Sequence, residues 1–170
     1  MTGYHQIQRI ILWFLLLCCL LVLTKYILFK RSPEYYKNYF AYQYNRKVIS
    51  DGWKHANLKP FSTIYLLYRS KRLRQEYKYD NIGGNIIGFM PLGILLPALF
   101  FAFRGFWRVA LISFCISLLF ETTQLLTGLG SFDVDDIILN TTGGIVGYIV
   151  YLGLKKIMRD NDADSYQHSS

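Results

Sequence analysis

Four long apolar runs constrain this chain more than any other feature: Ile7 to Phe29, Asn81 to Ala102, Phe106 to Thr127 and Asp136 to Leu154. At about 1.5 Å of rise per residue, each can cross roughly 30 Å of hydrocarbon. Lipid offers the backbone no hydrogen-bond partners, so runs of this length predict helices. The expected fold is all-α: a polytopic bundle of four transmembrane helices forming a single domain over residues 1–170. A composition of 52% apolar and 18% charged residues suits a small membrane protein. A cleaved signal peptide is the rival reading of the first run, but no A-x-A-like site accompanies it. Lys25 lies near one end of that run, where its stem can stay in lipid while its ammonium reaches the headgroups. Cys18, Cys19 and Cys115 fall inside apolar runs and read as small apolar side chains rather than a disulfide framework.

The net charge of +8 is not spread evenly. Residues 30–80 carry 12 of the 19 bases and only four of the 11 acids, and the rest of the chain is balanced. A local basic surface without a nucleic-acid motif predicts membrane lipids or other anionic envelope polymers as partners, and no nucleic acid. The same segment is rich in tyrosine, with Tyr35, Tyr39 and Tyr42 at helical spacing. In FSTIYLLYRSKRLRQEYKY, Phe61, Ile64, Tyr65 and Tyr68 fall on one side before a basic run. Both stretches predict short interfacial helices, because a tyrosine ring is apolar and its hydroxyl is wet. NLKPF at 57–61 reads as a turn into the second of them.

The polar residues of the membrane runs are patterned. Ser113, Ser117, Glu121, Gln124 and Gly128 recur at spacings of four, four, three and four, which is one stripe on one helix face. Asp136, Asn140 and the glycines at 143, 144 and 147 make a matching stripe on the fourth run. Ionisable groups at membrane depth are costly and face a bundle interior or a wet cavity. The two stripes are therefore expected to pack together, with Glu121 or Gln124 in hydrogen-bond reach of Asp136 or Asn140. Gly84 with Gly88, and Gly143 with Gly147, are G-x-x-x-G pairs that predict close helix contacts. Pro91 predicts a kink and Pro97 a helix end. The tail after Leu154 is polar and expected to fray.

Orientation is in conflict. Raw counting puts the basic 30–80 loop inside. The short segments, however, carry Arg9, Arg104, Arg108, Lys155, Lys156 and Arg159 on one side and only acids in the 128–135 link on the other. Short loops are where the positive-inside rule is strongest. The expectation is both termini inside, with the 30–80 loop and the 128–135 link outside.

NLKPF at 57–61, DNIGGNIIGFMPLGILLP at 80–97, FETTQ at 120–124 and FDVDDIILNTTGG at 132–144 together resemble, in order and spacing, the VanZ-like family of bacterial membrane proteins. The resemblance implies a multi-pass protein of the bacterial cell membrane, in the cell envelope, linked to glycopeptide resistance and especially to teicoplanin. Family members commonly carry a basic residue just before the aspartate motif. Gly130 and Ser131 stand there in this chain, so a charge pair with Asp133 is not expected.

The residues themselves support three functional classes. The first is a non-enzymatic protein whose polar cluster, Asn85, Glu121, Gln124, Asp133, Asp136 and Asn140, binds a lipid-linked wall precursor or a lipoglycopeptide near the outer surface. The second is an intramembrane enzyme with Glu121 as acid or base and Asp133, Asp135 and Asp136 as ligands for a hard cation. The third is a small proton- or ion-coupled transporter. No histidine lies near the cluster and the aspartate spacing is not that of an EF-hand, so no cofactor or resident metal is expected. Competing structural roles exist for each residue: Asp133 or Asp135 as a helix cap, and Gln124 and Asn140 as interhelical hydrogen-bond donors. Glu121 is the hardest to explain structurally, because a buried carboxyl needs a partner or a proton.

Overall fold

A computed structural model describes residues 3–45, 47–69 and 75–167 of the chain. The chain forms α1 (Gly3–Ile27), α2 (Pro33–Asn38), a π turn (Tyr39–Gln43), α3 (Lys47–Lys54), α4 (Ser62–Arg69), α5 (Gln75–Leu99), a 3₁₀ turn (Phe101–Phe103), α6 (Phe106–Thr127) and α7 (Val134–Gln167). Within α1, α5, α6 and α7 lie four stretches long and apolar enough to cross a membrane: Gln6–Ile27, Asn81–Leu99, Phe106–Thr127 and Val134–Asn161. The fold is an all-α polytopic bundle. The third run keeps its expected bounds. The fourth differs most: α7 continues as helix through the polar tail to Gln167, because lysine, arginine and methionine are good helix formers once a helix is under way.

The bundle is built on α5 and α7, with α6 against α7 and α1 packed chiefly on α5. Three glycines of α7 allow this. A Cβ on Gly143 would overlap the Ile86 carbonyl of α5, one on Gly147 the Met90 carbonyl, and one on Gly144 the Ser113 hydroxyl of α6. Gly93 is the answering glycine on α5, where a Cβ would overlap the Gly144 carbonyl. The expected role of Gly84 and Gly88 needs correction. Nothing lies within 4 Å of a Cβ on Gly84, and Gly88 meets only the Leu23 side chain at 3.4 Å. A small residue permits close approach, but whether a neighbour uses that space depends on how the helices cross.

Both prolines of α5 lie inside a helix that runs on to Leu99, so Pro97 does not end it. Pro97 is fully buried, and the Arg104 Nε donates to its carbonyl at 3.3 Å. Phe89, Leu92, Leu95 and Leu96 of α5 pack with Leu16 and Leu23 of α1 into the main apolar core. The other faces of α1 stay apolar and exposed, as at Ile10, Phe14 and Leu21, which suits a lipid-facing helix.

The 30–69 connection is a folded cap rather than a floppy loop. Ser32 caps α2 ahead of Pro33. Helix α3, which the sequence reading does not anticipate, lays Gly52 against Leu125 of α6. Tyr39 is buried, and its hydroxyl donates to the Thr127 carbonyl at 3.1 Å; that of Tyr44 donates to Leu126 at 3.4 Å. The last carbonyls of a helix have no partner within it, and these phenols supply one at the end of α6. Burial pushes the Tyr39 phenol above its ordinary pKa, with the Tyr35 and Tyr44 phenols adding to the effect, so it remains a donor. Tyr42, Tyr65 and Tyr68 are exposed. The basic run at Lys71, Arg72 and Arg74 lies outside the described residues.

Gly147→Leu is expected to cost about 1–3 kcal/mol or more through overpacking, lowering both folded yield in detergent and the melting temperature. Gly84→Leu should leave both near the parent value. Equal losses from the two would contradict a close α5–α7 contact at Gly147.

Candidate functional site

The site is at the end of the bundle where α1 and α6 finish and α5 and α7 begin. The inward stripe of α6 is buried throughout, with Ser113, Ser117, Glu121 and Gln124 exposed by 0, 0, 1 and 4%. Opposite them Asn140 is 2% exposed, and its Nδ2 donates to the Ser117 hydroxyl at 2.8 Å. The stripes thus meet, but through a different pair from the one expected. Glu121 accepts the backbone N–H of Asp133 at 2.8 Å, and Gln124 donates to the Ile27 carbonyl of α1 at 2.9 Å. Asn85 of α5 donates to Asp136 at 2.7 Å. Sequence periodicity puts residues on a shared face, while the rotation and height of each helix select the contacts.

The aspartates divide into two groups. Asp135 is fully buried, and its carboxylate accepts the backbone N–H groups of Phe61, Thr63 (2.7 Å) and Ile64 (3.1 Å). It therefore caps α4, a helix distant in sequence. Asp133 caps its own helix by accepting from the Asp135 N–H at 2.8 Å, and its carboxylate also takes Asn57 Nδ2 at 2.8 Å and the Thr63 hydroxyl at 2.7 Å. A parallel bridge completes the seam: Asn57 donates to Phe132 O at 2.8 Å and Val134 to Asn57 O at 3.0 Å. NLKPF is thus a docking segment as well as a turn. Phe61 adopts φ +65°, uncommon for a bulky residue, and its N–H points at Asp135. Protein donors occupy Asp133 and Asp135, leaving Asp136 to face the cavity. Among the described residues, no group of three or more His, Cys, Asp or Glu is arranged to hold a metal.

That cavity has a volume of about 780 Å³ and lies among α1, α5, α6 and α7. Its polar wall is Asn81, Asn85, Glu121, Gln124, Asp136 and Asn140, with Lys30 after the end of α1. Its apolar rim includes Val22, Tyr26 and Ile87, exposed by 53, 75 and 67%. Gly83 and Gly84, where a Cβ would meet nothing within 4 Å, keep the α5 side open. The cavity is a cleft between α1 and α5, polar inside and apolar at its mouth. Asn85, Glu121, Gln124, Asp136 and Asn140 come together here, and Asp133 and Asp135 do not. The sequence reading missed Lys30, since nothing in the sequence separates it from the other bases of the loop.

These features define a class: a small polytopic membrane protein with a polar cavity at one end of its helix bundle, opening between two helices. The profile of the VanZ/LLP1 family matches residues 12–158. Protein VanZ of Enterococcus faecium is 35% identical over 126 residues, covering 74% of this chain and 70% of that protein. The chain belongs to the VanZ/LLP1 family. No solved structure matches it.

Asp135→Ala would strip the partner from three backbone N–H groups, at about 1–3 kcal/mol for each one left buried. It is expected to lower the melting temperature sharply and to open the 57–64 segment to protease. Asp136→Asn can keep its bond to the Asn85 amide and should stay close to parent stability. A stable, protease-resistant Asp135→Ala would show that the seam does not hold the cap to the bundle.

Proposed function

We propose that this chain is an envelope protein of the bacterial cell membrane that binds a lipid-linked or lipid-anchored ligand, and that it contributes in this way to glycopeptide resistance, teicoplanin being the first compound to test. The observation that carries this reading is the lateral cleft, whose buried acids and amides sit just behind an exposed apolar rim. A ligand with a polar head and a long chain has both halves served there: the head in the cavity, the chain along Val22, Tyr26 and Ile87 in lipid. Undecaprenyl-linked wall precursors and acylated glycopeptides have that form. The hard-cation enzyme reading is less well supported, because Asp133 and Asp135 are engaged by protein donors. The resistance context comes from the VanZ-like resemblance of the sequence blocks, and the likeness to Protein VanZ of Enterococcus faecium supports that family.

The cap and the 128–135 link share one end of the bundle, and we assign that end to the outer face. In a background lacking Cys18, Cys19 and Cys115, a cysteine replacing Ser131 should react with a membrane-impermeant thiol reagent in intact cells. One replacing Asn161, at the far end of the last span, should react only after lysis. The reverse pattern would place the cavity on the cytoplasmic side and end the proposal of direct contact with an extracellular antibiotic.

Glu121 tests the role of the cavity. Glu121→Gln keeps an acceptor for the Asp133 N–H and is expected to retain measurable teicoplanin resistance. Glu121→Leu removes the polar group and should abolish resistance, with membrane protein level measured in both. Loss with Gln at an unchanged protein level would favour proton transfer over binding. Full resistance with both Gln and Leu would remove Glu121 from the site.

A further inference from the structure

The hydrogen-bond inventory of the cavity is lopsided. The amide nitrogens of Asn85, Gln124 and Asn140 each already donate to a protein acceptor. The acceptors are not matched in the same way. The Oδ1 of Asn140, in a side chain 98% buried, has no hydrogen-bond partner, and neither does the Oδ1 of Asn81. Asp136 shows one bonded oxygen, the Oδ1 that takes the Asn85 amide. A buried acceptor without a donor is costly, and the cost is relieved when a ligand brings the donor. The polar end of the cleft therefore calls for a group rich in N–H or O–H and, beside two carboxyl groups, for one carrying positive charge. The opposite sign comes only from Lys30, the one basic residue among the described lining residues.

We propose that the cleft selects a lipid whose headgroup carries a primary ammonium beside a phosphodiester, the ammonium resting between Asp136 and the Asn140 amide oxygen and the phosphate meeting Lys30. This rests on the reading that the cavity holds a lipid-borne ligand, and it adds the headgroup chemistry. A primary ammonium has three N–H donors, enough for the Asp136 carboxyl and the Asn140 oxygen with one to spare. A trimethylammonium keeps the charge and loses every donor. A glycerol headgroup keeps donors and loses the charge. The acyl chains would leave between α1 and α5 over Val22 and Ile87.

The test is native mass spectrometry of the purified full chain in detergent. Phosphatidylethanolamine, phosphatidylcholine and phosphatidylglycerol of the same acyl chains are titrated separately, with soluble phosphoethanolamine as a further arm. Phosphatidylethanolamine should bind at least about tenfold more tightly than the other two lipids, the loss expected from removing a charge-assisted hydrogen bond. Asp136→Asn should erase that preference while the chain stays folded, and Lys30→Ala should weaken binding of all three lipids. Equal binding of the three, abolished together by Gly84→Leu at the mouth, would leave the lipid site standing and overturn the ammonium assignment. Soluble phosphoethanolamine binding as tightly as the lipid would overturn the commitment to a lipid. Absence of any lipid adduct above detergent background would overturn both this inference and the reading beneath it.

Discussion

The Asp135 carboxylate is the interaction on which the capped end of the bundle depends. It lies fully buried at the start of α7 and accepts three backbone N–H groups from the Phe61–Ile64 segment. A carboxyl group withdrawn from water is tolerated only when its oxygens are satisfied this completely. The N-terminus of α4 in turn finds in Asp135 the acceptor that its orphan donors need. Each side removes the other's desolvation cost, so the cap cannot leave without exposing both. Asp133 extends the seam to Asn57 and Thr63 and hands its own backbone N–H to Glu121. A continuous chain of hydrogen bonds therefore links the extramembrane cap to the membrane interior.

That chain sorts the polar residues of the bundle by role. Asp133, Asp135, Asn57 and Thr63 face one another and are partnered. Asn140, Asp136 and Asn81 face the cleft, and the oxygens of Asn140 and Asn81 are without donors. Structural polar groups in a low-dielectric setting are normally satisfied. The Ser113 and Thr141 hydroxyls are also without a partner but lie off the cleft, so it is the place of the two amide oxygens on the cleft wall that sets them apart. The distinction is sharper than the presence of acids near a membrane, because acids of both kinds occur within four residues of one another in DVDD.

Glycines show a similar division. Gly93, Gly143, Gly144 and Gly147 are contact residues, where any side chain would meet a carbonyl or a hydroxyl of the facing helix. Gly83 and Gly84 border empty space and shape the mouth of the cleft. Helix α5 therefore carries two kinds of glycine: Gly93 lets α7 come close, and Gly83 with Gly84 leaves the opening beside α1 unobstructed.

Length, apolar content and period determined a great deal in advance. Runs long enough to cross lipid demand helices, since no other open structure satisfies the backbone there, and a polar residue every three or four positions must turn inward. Hence the four spans, the inward stripe from Ser113 to Gln124 and the family resemblance of the blocks were legible from the residues. The tertiary structure decided which members of the stripes touch. It replaced the expected Glu121 or Gln124 pairing with Asn140–Ser117, made Asp135 the cap of a helix some seventy residues earlier, and set Lys30 on the cavity wall. Contacts of this kind depend on the rotation, depth and crossing of whole helices. A periodic pattern defines a face but not its phase against a neighbour.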